Sequence, residues 1–205
     1  MLAALKISEL LEKTASASPI PGGGSMAALS AAVAASLVEM VANLTIGKKG
    51  FEAVEEEMAA VIKKVHPLRE KLTKDMDRDA EAYSEVLSAI KLSKSTEEEK
   101  KKKQTAIQEG LKHAVLVPLE VAEDAFRILE FARTVVTKGN PNAVTDGAVA
   151  VMMIRTAVLS ALYNMKINLG SITDEAFVEE ITATVKRLEA ETVREVEAIL
   201  SRVGL

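Results

Sequence analysis

The chain predicts an all-α bundle of about six helices around one alanine-rich member, and three observations predict it. Apolar residues recur with helical spacing over most of the sequence. No run alternates with period two between turn signals, so no strand is expected. The breaks are short and rich in Gly, Pro, Ser, Asn and Thr. At 205 residues one hydrophobic core suffices, and 1–205 reads as a single helical domain.

The elements follow in order. Residues 2–14 form a short amphipathic helix, with Leu5, Leu10 and Leu11 among charged neighbours, stopped by 15–18 and by Pro19 and Pro21. A second helix covers 25–45, where alanine favours helix and lets neighbouring backbones come close. Residues 46–50 break it, and a long third helix spans 51–92, where Pro67 removes a backbone donor and favours a kink. After 93–96, Thr96 and Glu99 make a capping box for a fourth helix, 96–137, which contains Pro118. The stop at 138–142 precedes a fifth helix, capped by Thr145 or Asp146 and ending at Asn168. A sixth, capped by Thr173 or Asp174, reaches Arg202.

Composition narrows the function classes. Hydrophobic residues at 48% and charged residues at 27% match a folded globular chain. A mean hydropathy of +0.14 points to an extensive interior or to a partner that covers surface. A net charge of -4 and a pI near 5.4 give no electrostatic reason to expect a nucleic acid partner. The absence of cysteine and of a basic leader before an apolar run argues against secretion, and a cytoplasmic location is expected. Residues 26–44 approach the length of a membrane span, yet they are mainly alanine and carry Ser30, Ser36, Glu39 and Asn43. A helix buried in protein is expected there, and no membrane. His66 and His113 without cysteine give no zinc signature, so no metal is expected. Lys100 to Lys103 read as a solvated face, and Met152 and Met153 as core filling.

Polar residues at core positions are the informative ones. The third helix has an apolar stripe of Leu72, Met76, Tyr83, Val86 and Ile90, whose spacing requires one more member at Asp79. Asp77 lies about 200° around the helix and points away, and Asp75 sits at the margin. A carboxylate among Leu, Met and Tyr loses hydration, its pKa rises, and it becomes a proton carrier near neutral pH. The plainer alternative is an Asp satisfied by backbone or by a cation on another helix.

The second unusual place is the turn Pro19-Ile20-Pro21-Gly22-Gly23-Gly24-Ser25. Three successive glycines fit a backbone that something approaches closely, and they leave amide donors uncovered at a helix N-terminus. Such a place binds a carboxylate, phosphate or carbonyl oxygen. Tight packing against a neighbouring helix is the alternative. Ser36, Glu39 and Asn43 make a polar strip on the second helix, bordered by water or by a polar cavity. Asn164 and Asn168 lie one turn apart on the fifth, and Asp146 is an N-cap candidate.

The run Ser18-Pro19-Ile20-Pro21-Gly22-Gly23-Gly24-Ser25, with the alanine-rich helix ending Met40-Val41-Ala42-Asn43-Leu44-Thr45, resembles the cyclodeaminase/cyclohydrolase family of folate enzymes. Asp77-Arg78-Asp79-Ala80-Glu81-Ala82-Tyr83, Gly139-Asn140-Pro141 and Asn164-Met165-Lys166-Ile167-Asn168-Leu169 agree, and the resemblance covers nearly the whole chain. It implies a helical homodimer that converts 5-formimidoyltetrahydrofolate to 5,10-methenyltetrahydrofolate with release of ammonia. The closely related cyclohydrolase reaction and a non-catalytic folate-binding helical dimer are the alternatives. It also implies catalysis by Asp79. With a tetrahydrofolate derivative as substrate, the expected binding residues are Pro21, Gly22, Gly23, Gly24, Ser25, Asn43, Asp146, Asn164 and Asn168. With no transferase domain in this sequence, a separate formimidoyltransferase is the expected source of a formimidoyl substrate.

Overall fold

Alanine sets the architecture. The second helix buries Ala27, Ala28, Ala31, Ala34, Ala35 and Ala42 almost completely, and such small side chains let three other helices close on it. The computed structural model describes residues 1–203, and the last two positions of the 1–205 span lie outside the described residues. Those residues form α1 (Ile7–Thr14), α2 (Gly23–Asn43), α3 (Glu55–Ile90), α4 (Glu97–Lys138), α5 (Val144–Leu169) and α6 (Glu175–Leu200). One short 3-10 turn precedes α1 and two others lead into α3 and α5, and no strand occurs among the described residues. The all-α bundle expected from the sequence is the observed fold.

Side-chain pairs fix the directions. Ser25 meets Asp79 near one end of α2 and Glu39 meets Arg69 near the other, so α2 and α3 run antiparallel. Asn168 reaches Ala114, and a methyl on Gly147 would press on Val136, so α4 and α5 are antiparallel as well. α2 lies between α3 and α5, with α4 behind both, and α6 closes the far side on α4 and α5.

The Thr96–Glu99 capping box forms as expected, with the Thr96 hydroxyl accepting from the Glu99 amide at 3.1 Å. Asp174 caps α6 by accepting from the Phe177 amide. α3 and α4 continue through Pro67 and Pro118. Three local expectations are corrected. α2 begins at Gly23 with Gly22 as N-cap, so two of the three glycines belong to its first turn. Ala143 is the N-cap of α5, and Asp146 sits inside the first turn without a capping bond. Met152 is 56% exposed and fills no core, because its position lies on the outer face of α5.

A charge cluster joins α3 to α4. Asp75 is fully buried and accepts from Lys71 at 3.1 Å and Arg78 at 2.7 Å, and both cations also bind Glu120. Lys71 continues to Asp124 at 2.9 Å. The sequence reading placed Asp75 at the margin of its stripe. It is inside because two cations neutralise it there. Tyr83 and Ile90, expected inside, are 36% and 51% exposed, since the buried line of α3 continues through Ala82, Val86 and Ala89.

Candidate active site

Four helices and the turn before α2 enclose a cavity of about 220 Å³. Pro19, Ile20 and the three glycines form one wall. Asp79, Ala80 and Tyr83 come from α3, Ala114 from α4, and Asn164, Ile167 and Asn168 from the last turns of α5. The volume is below the roughly 300–1,000 Å³ of sites that enclose a whole drug-sized ligand. The cavity has room for a small molecule or for one part of a larger one.

Asp79 reaches this wall because of Gly24. A methyl group built on Gly24 would overlap the Asp79 carboxylate. One on Gly23 would sit 3.0 Å from the Asn164 amide nitrogen. Gly24 is thus required by close approach of Asp79, and Gly23 is crowded by Asn164, which is the packing explanation of the turn with polar groups as the approaching partners. Behind the wall the Ile20–Pro21 peptide is cis and Pro21 is buried.

Burial pushes the Asp79 carboxyl above the ordinary aspartate value, because the charged form loses hydration. The Ser25 hydroxyl, donating to Oδ2 at 2.9 Å, and the Ser25 backbone pull the other way without cancelling the rise. Ser25 is itself fully buried, so its hydroxyl is held in place for this bond. No cation among the described residues pairs with Asp79. Two cations of α3, Lys71 and Arg78, are instead engaged by Asp75 and Glu120. The arrangement offers one poised proton acceptor beside an apolar floor, with amide oxygens on the opposite helix.

Of the residues singled out in the sequence, Gly22, Gly23, Gly24, Asp79, Asn164 and Asn168 line the cavity, Ser25 supports Asp79, and Pro21 backs the turn. Asn43 and Asp146 are not brought there. Asn43 ends α2, about 30 Å along the helix from Gly23, and is exposed. Asp146 lies about 27 Å along α5 from Asn164. The strip of Ser36, Glu39 and Asn43 does not line the cavity beside Asp79: Ser36 bonds back to Ala32, and Glu39 pairs with Arg69 at 3.1 Å. Ala114 completes the walls without any sequence signal, and Ile167 with none beyond its place in the Asn164–Leu169 block, because both are ordinary helix residues until α4 and α5 pack. Tyr83 was placed on the α3 stripe, one turn after Asp79, and its actual position is the cavity rim.

Known proteins resemble this chain in sequence and fold. The model of the formiminotransferase-cyclodeaminase family matches residues 6–187. The chain belongs to that family. Among its relatives, the methenyltetrahydrofolate cyclohydrolase of Methylorubrum extorquens is 40% identical over 90% of this chain and 89% of its own length. The formimidoyltransferase-cyclodeaminase of Rattus norvegicus is 36% identical over 89% of this chain, which spans only 34% of that longer protein. The crystal structure of formiminotetrahydrofolate cyclodeaminase from Thermotoga maritima superposes with a TM-score of 0.82 at 30% identity, over 99% of this chain and 96% of that one.

Proposed function

We propose that the protein is a formimidoyltetrahydrofolate cyclodeaminase, with Asp79 as the group that moves the proton. The observation that carries this reading is the desolvated Asp79 carboxylate, held by Ser25 inside a cavity with room for one part of a ligand. The tetrahydropterin and its one-carbon unit would enter between the glycine turn and α5, with Tyr83 against the ring and the rest of the folate outside.

The proton balance suits one carboxylate. The substrate enters as the N5 amidinium, and N10 attacks its carbon, forming the N10–C bond and placing positive charge on N10. Asp79 takes the N10 proton and becomes neutral. It then returns the proton to the amino group on the tetrahedral carbon, the C–N bond breaks, and ammonia leaves with the methenyl cation behind. Asp79 ends as the carboxylate it began as. A raised pKa helps the second transfer without preventing the first. Holding N5, the carbon and N10 in line supplies much of the remaining rate.

The cyclohydrolase reaction is the second reading, favoured by the Methylorubrum relative, which this chain matches over nearly its whole length. There water attacks the methenyl carbon and Asp79 takes a proton from that water. Asp79 returns it to N5, the C–N5 bond breaks, and the hydroxyl proton is lost to solvent as the N10-formyl group forms. Purified protein assayed separately with 5-formimidoyl- and 5,10-methenyltetrahydrofolate, following ammonia, decides between them. Ammonia from the first substrate supports the cyclodeaminase. Turnover of the second alone assigns the cyclohydrolase. A cyclodeaminase also needs a formimidoyltransferase activity to supply its substrate, and a cytoplasmic location is proposed with it.

We also propose a homodimer. Val33, Met40 and Leu44 of α2 and Val149, Met152 and Tyr163 of α5 are all large, apolar and exposed. They project outward from two helices that pack on one another, Leu44 from the C-cap of α2, and exposed apolar residues in such number suit a surface that a second copy covers.

A further inference from the structure

Asn168 has spent both of its amide hydrogens. Its nitrogen donates to the Ala114 carbonyl at 3.1 Å and to the Asn164 carbonyl at 3.0 Å. Both partners only accept, so the amide cannot turn over without setting its oxygen against two others. The oxygen that remains has no donor among the described residues, and the side chain lines the cavity. One turn earlier, the Asn164 nitrogen donates to the Ser160 carbonyl at 2.8 Å, and its oxygen lies 3.3 Å from where a Gly23 side chain would begin. The α5 wall thus offers two amide oxygens about 6 Å apart along the helix. Asn164 keeps one free hydrogen and could present a donor. Asn168 cannot.

A fixed acceptor recognises a donor and repels a lone pair. Along the edge that carries the 2-amino group, reduced and oxidised pterins differ in this respect at one ring atom, N8. In a tetrahydropterin N8 carries hydrogen and donates, on the same edge as the 2-amino group. In the oxidised aromatic ring N8 has only a lone pair. Resting on the folate reading above, we infer that Asn168 selects the reduced cofactor form by accepting from N8–H. Asn164 takes a hydrogen of the 2-amino group along the same edge. This makes Asn168 a specificity residue, distinct from the proton-transferring Asp79.

The test is equilibrium binding, by calorimetry, of 5-formyltetrahydrofolate and of folic acid to wild type and to Asn168→Leu, with thermal unfolding of each. A site built around a ligand N–H should reject the analogue lacking it by on the order of 100-fold or more. Asn168→Leu should shrink that ratio at least about tenfold, through weaker binding of the reduced ligand. Equal wild-type affinities, or an unchanged ratio in a folded Asn168→Leu, would overturn the inference. If that variant fails to fold, wild type is compared instead with tetrahydro-8-deazafolate, in which carbon replaces N8, and affinity equal to that of tetrahydrofolate is the overturning result. Binding of neither ligand by wild type overturns the folate reading and this inference together, whereas equal binding overturns this one alone.

Discussion

The Asp79 carboxylate occupies the space that a side chain at Gly24 would need. Helix α2 can therefore start where it does only with no side chain at that position, and the buried Ser25 hydroxyl then meets the carboxylate from the next residue. The glycine and the acid are one device, supplied by two helices.

Gly24→Ala should displace Asp79 and lower kcat by roughly 100-fold, the scale of a 1 Å misplacement of a reacting group. Overpacking should destabilise the fold by about 1–3 kcal/mol. Gly50→Ala is the control. Gly50 has φ of 92° and nothing near its missing Cβ, so the change strains the backbone and leaves turnover alone. Equal kinetic loss in both variants would sink the idea that position 24 acts through Asp79.

Asp79→Asn should abolish turnover and leave the thermal midpoint equal or higher, since it removes a desolvated charge. The sign of the pH dependence follows from the raised pKa. Between the ordinary value of 3.8 and its raised folded value, the native state binds more protons than the unfolded one at Asp79. Stability at this site accordingly falls as pH rises through that window. Activity should have its acid limb above the ordinary aspartate range, because the carboxylate must be free to accept. Denaturant melts across pH should show the stability decline weakened in Asp79→Asn, and an unchanged decline would assign it to another group.

How much of this was legible beforehand depended on whether the cause was local. The Thr96–Glu99 box and the Asp174 cap were readable because each depends on neighbours three residues away. The Gly22–Gly24 run signalled a close approach without saying what approached. Asp79 emerged from a spacing that also placed Tyr83 and Ile90 inside, and both are partly exposed. The most deeply buried acid of α3 is Asp75, neutralised by Lys71 and Arg78 one turn to either side on the same helix; the apolar spacing of α3 does not reveal that pairing, nor the Glu120 of α4 that holds both cations. Asp146 looked like a cap only while the start of α5 was uncertain by a few residues. Ala114 and Ile167 become cavity residues through tertiary packing alone.

The charge cluster gives a third test. Arg78 and, after the opposing effect of burial, Lys71 hold the Glu120 carboxyl down to about 2 from 4.5. A depressed acid stabilises the fold above its unfolded pKa and loses that contribution as pH falls from about 4.5 toward 2. Glu120 is 44% exposed, so water screens the interaction and about 1 kcal/mol is the expected size. Glu120→Gln should remove that portion of the acid loss. Arg78→Met should cost more, about 2–4 kcal/mol, because it withdraws one of the two cations that neutralise fully buried Asp75. Chemical denaturation at pH 7 reads both, and a larger loss for Glu120→Gln would contradict the ranking.

Met152→Glu addresses the outer face of α5. Met152 is 56% exposed and is flanked along the same helix face by Val149, at 47%, and by Tyr163, at 67%. In a twofold dimer the same patch serves both copies, so one substitution places two charges at the interface. Each buried unpaired charge costs about 2 kcal/mol or more, and two should weaken association on the order of 1,000-fold. Lys101→Glu, on an exposed turn of α4, makes a larger change of charge in the same direction and should leave association intact. Sedimentation equilibrium reads the difference. A wild-type monomer at micromolar concentration, or a Met152→Glu variant that still associates as wild type does, would remove α5 from the interface and leave its exposed apolar residues without an occupant.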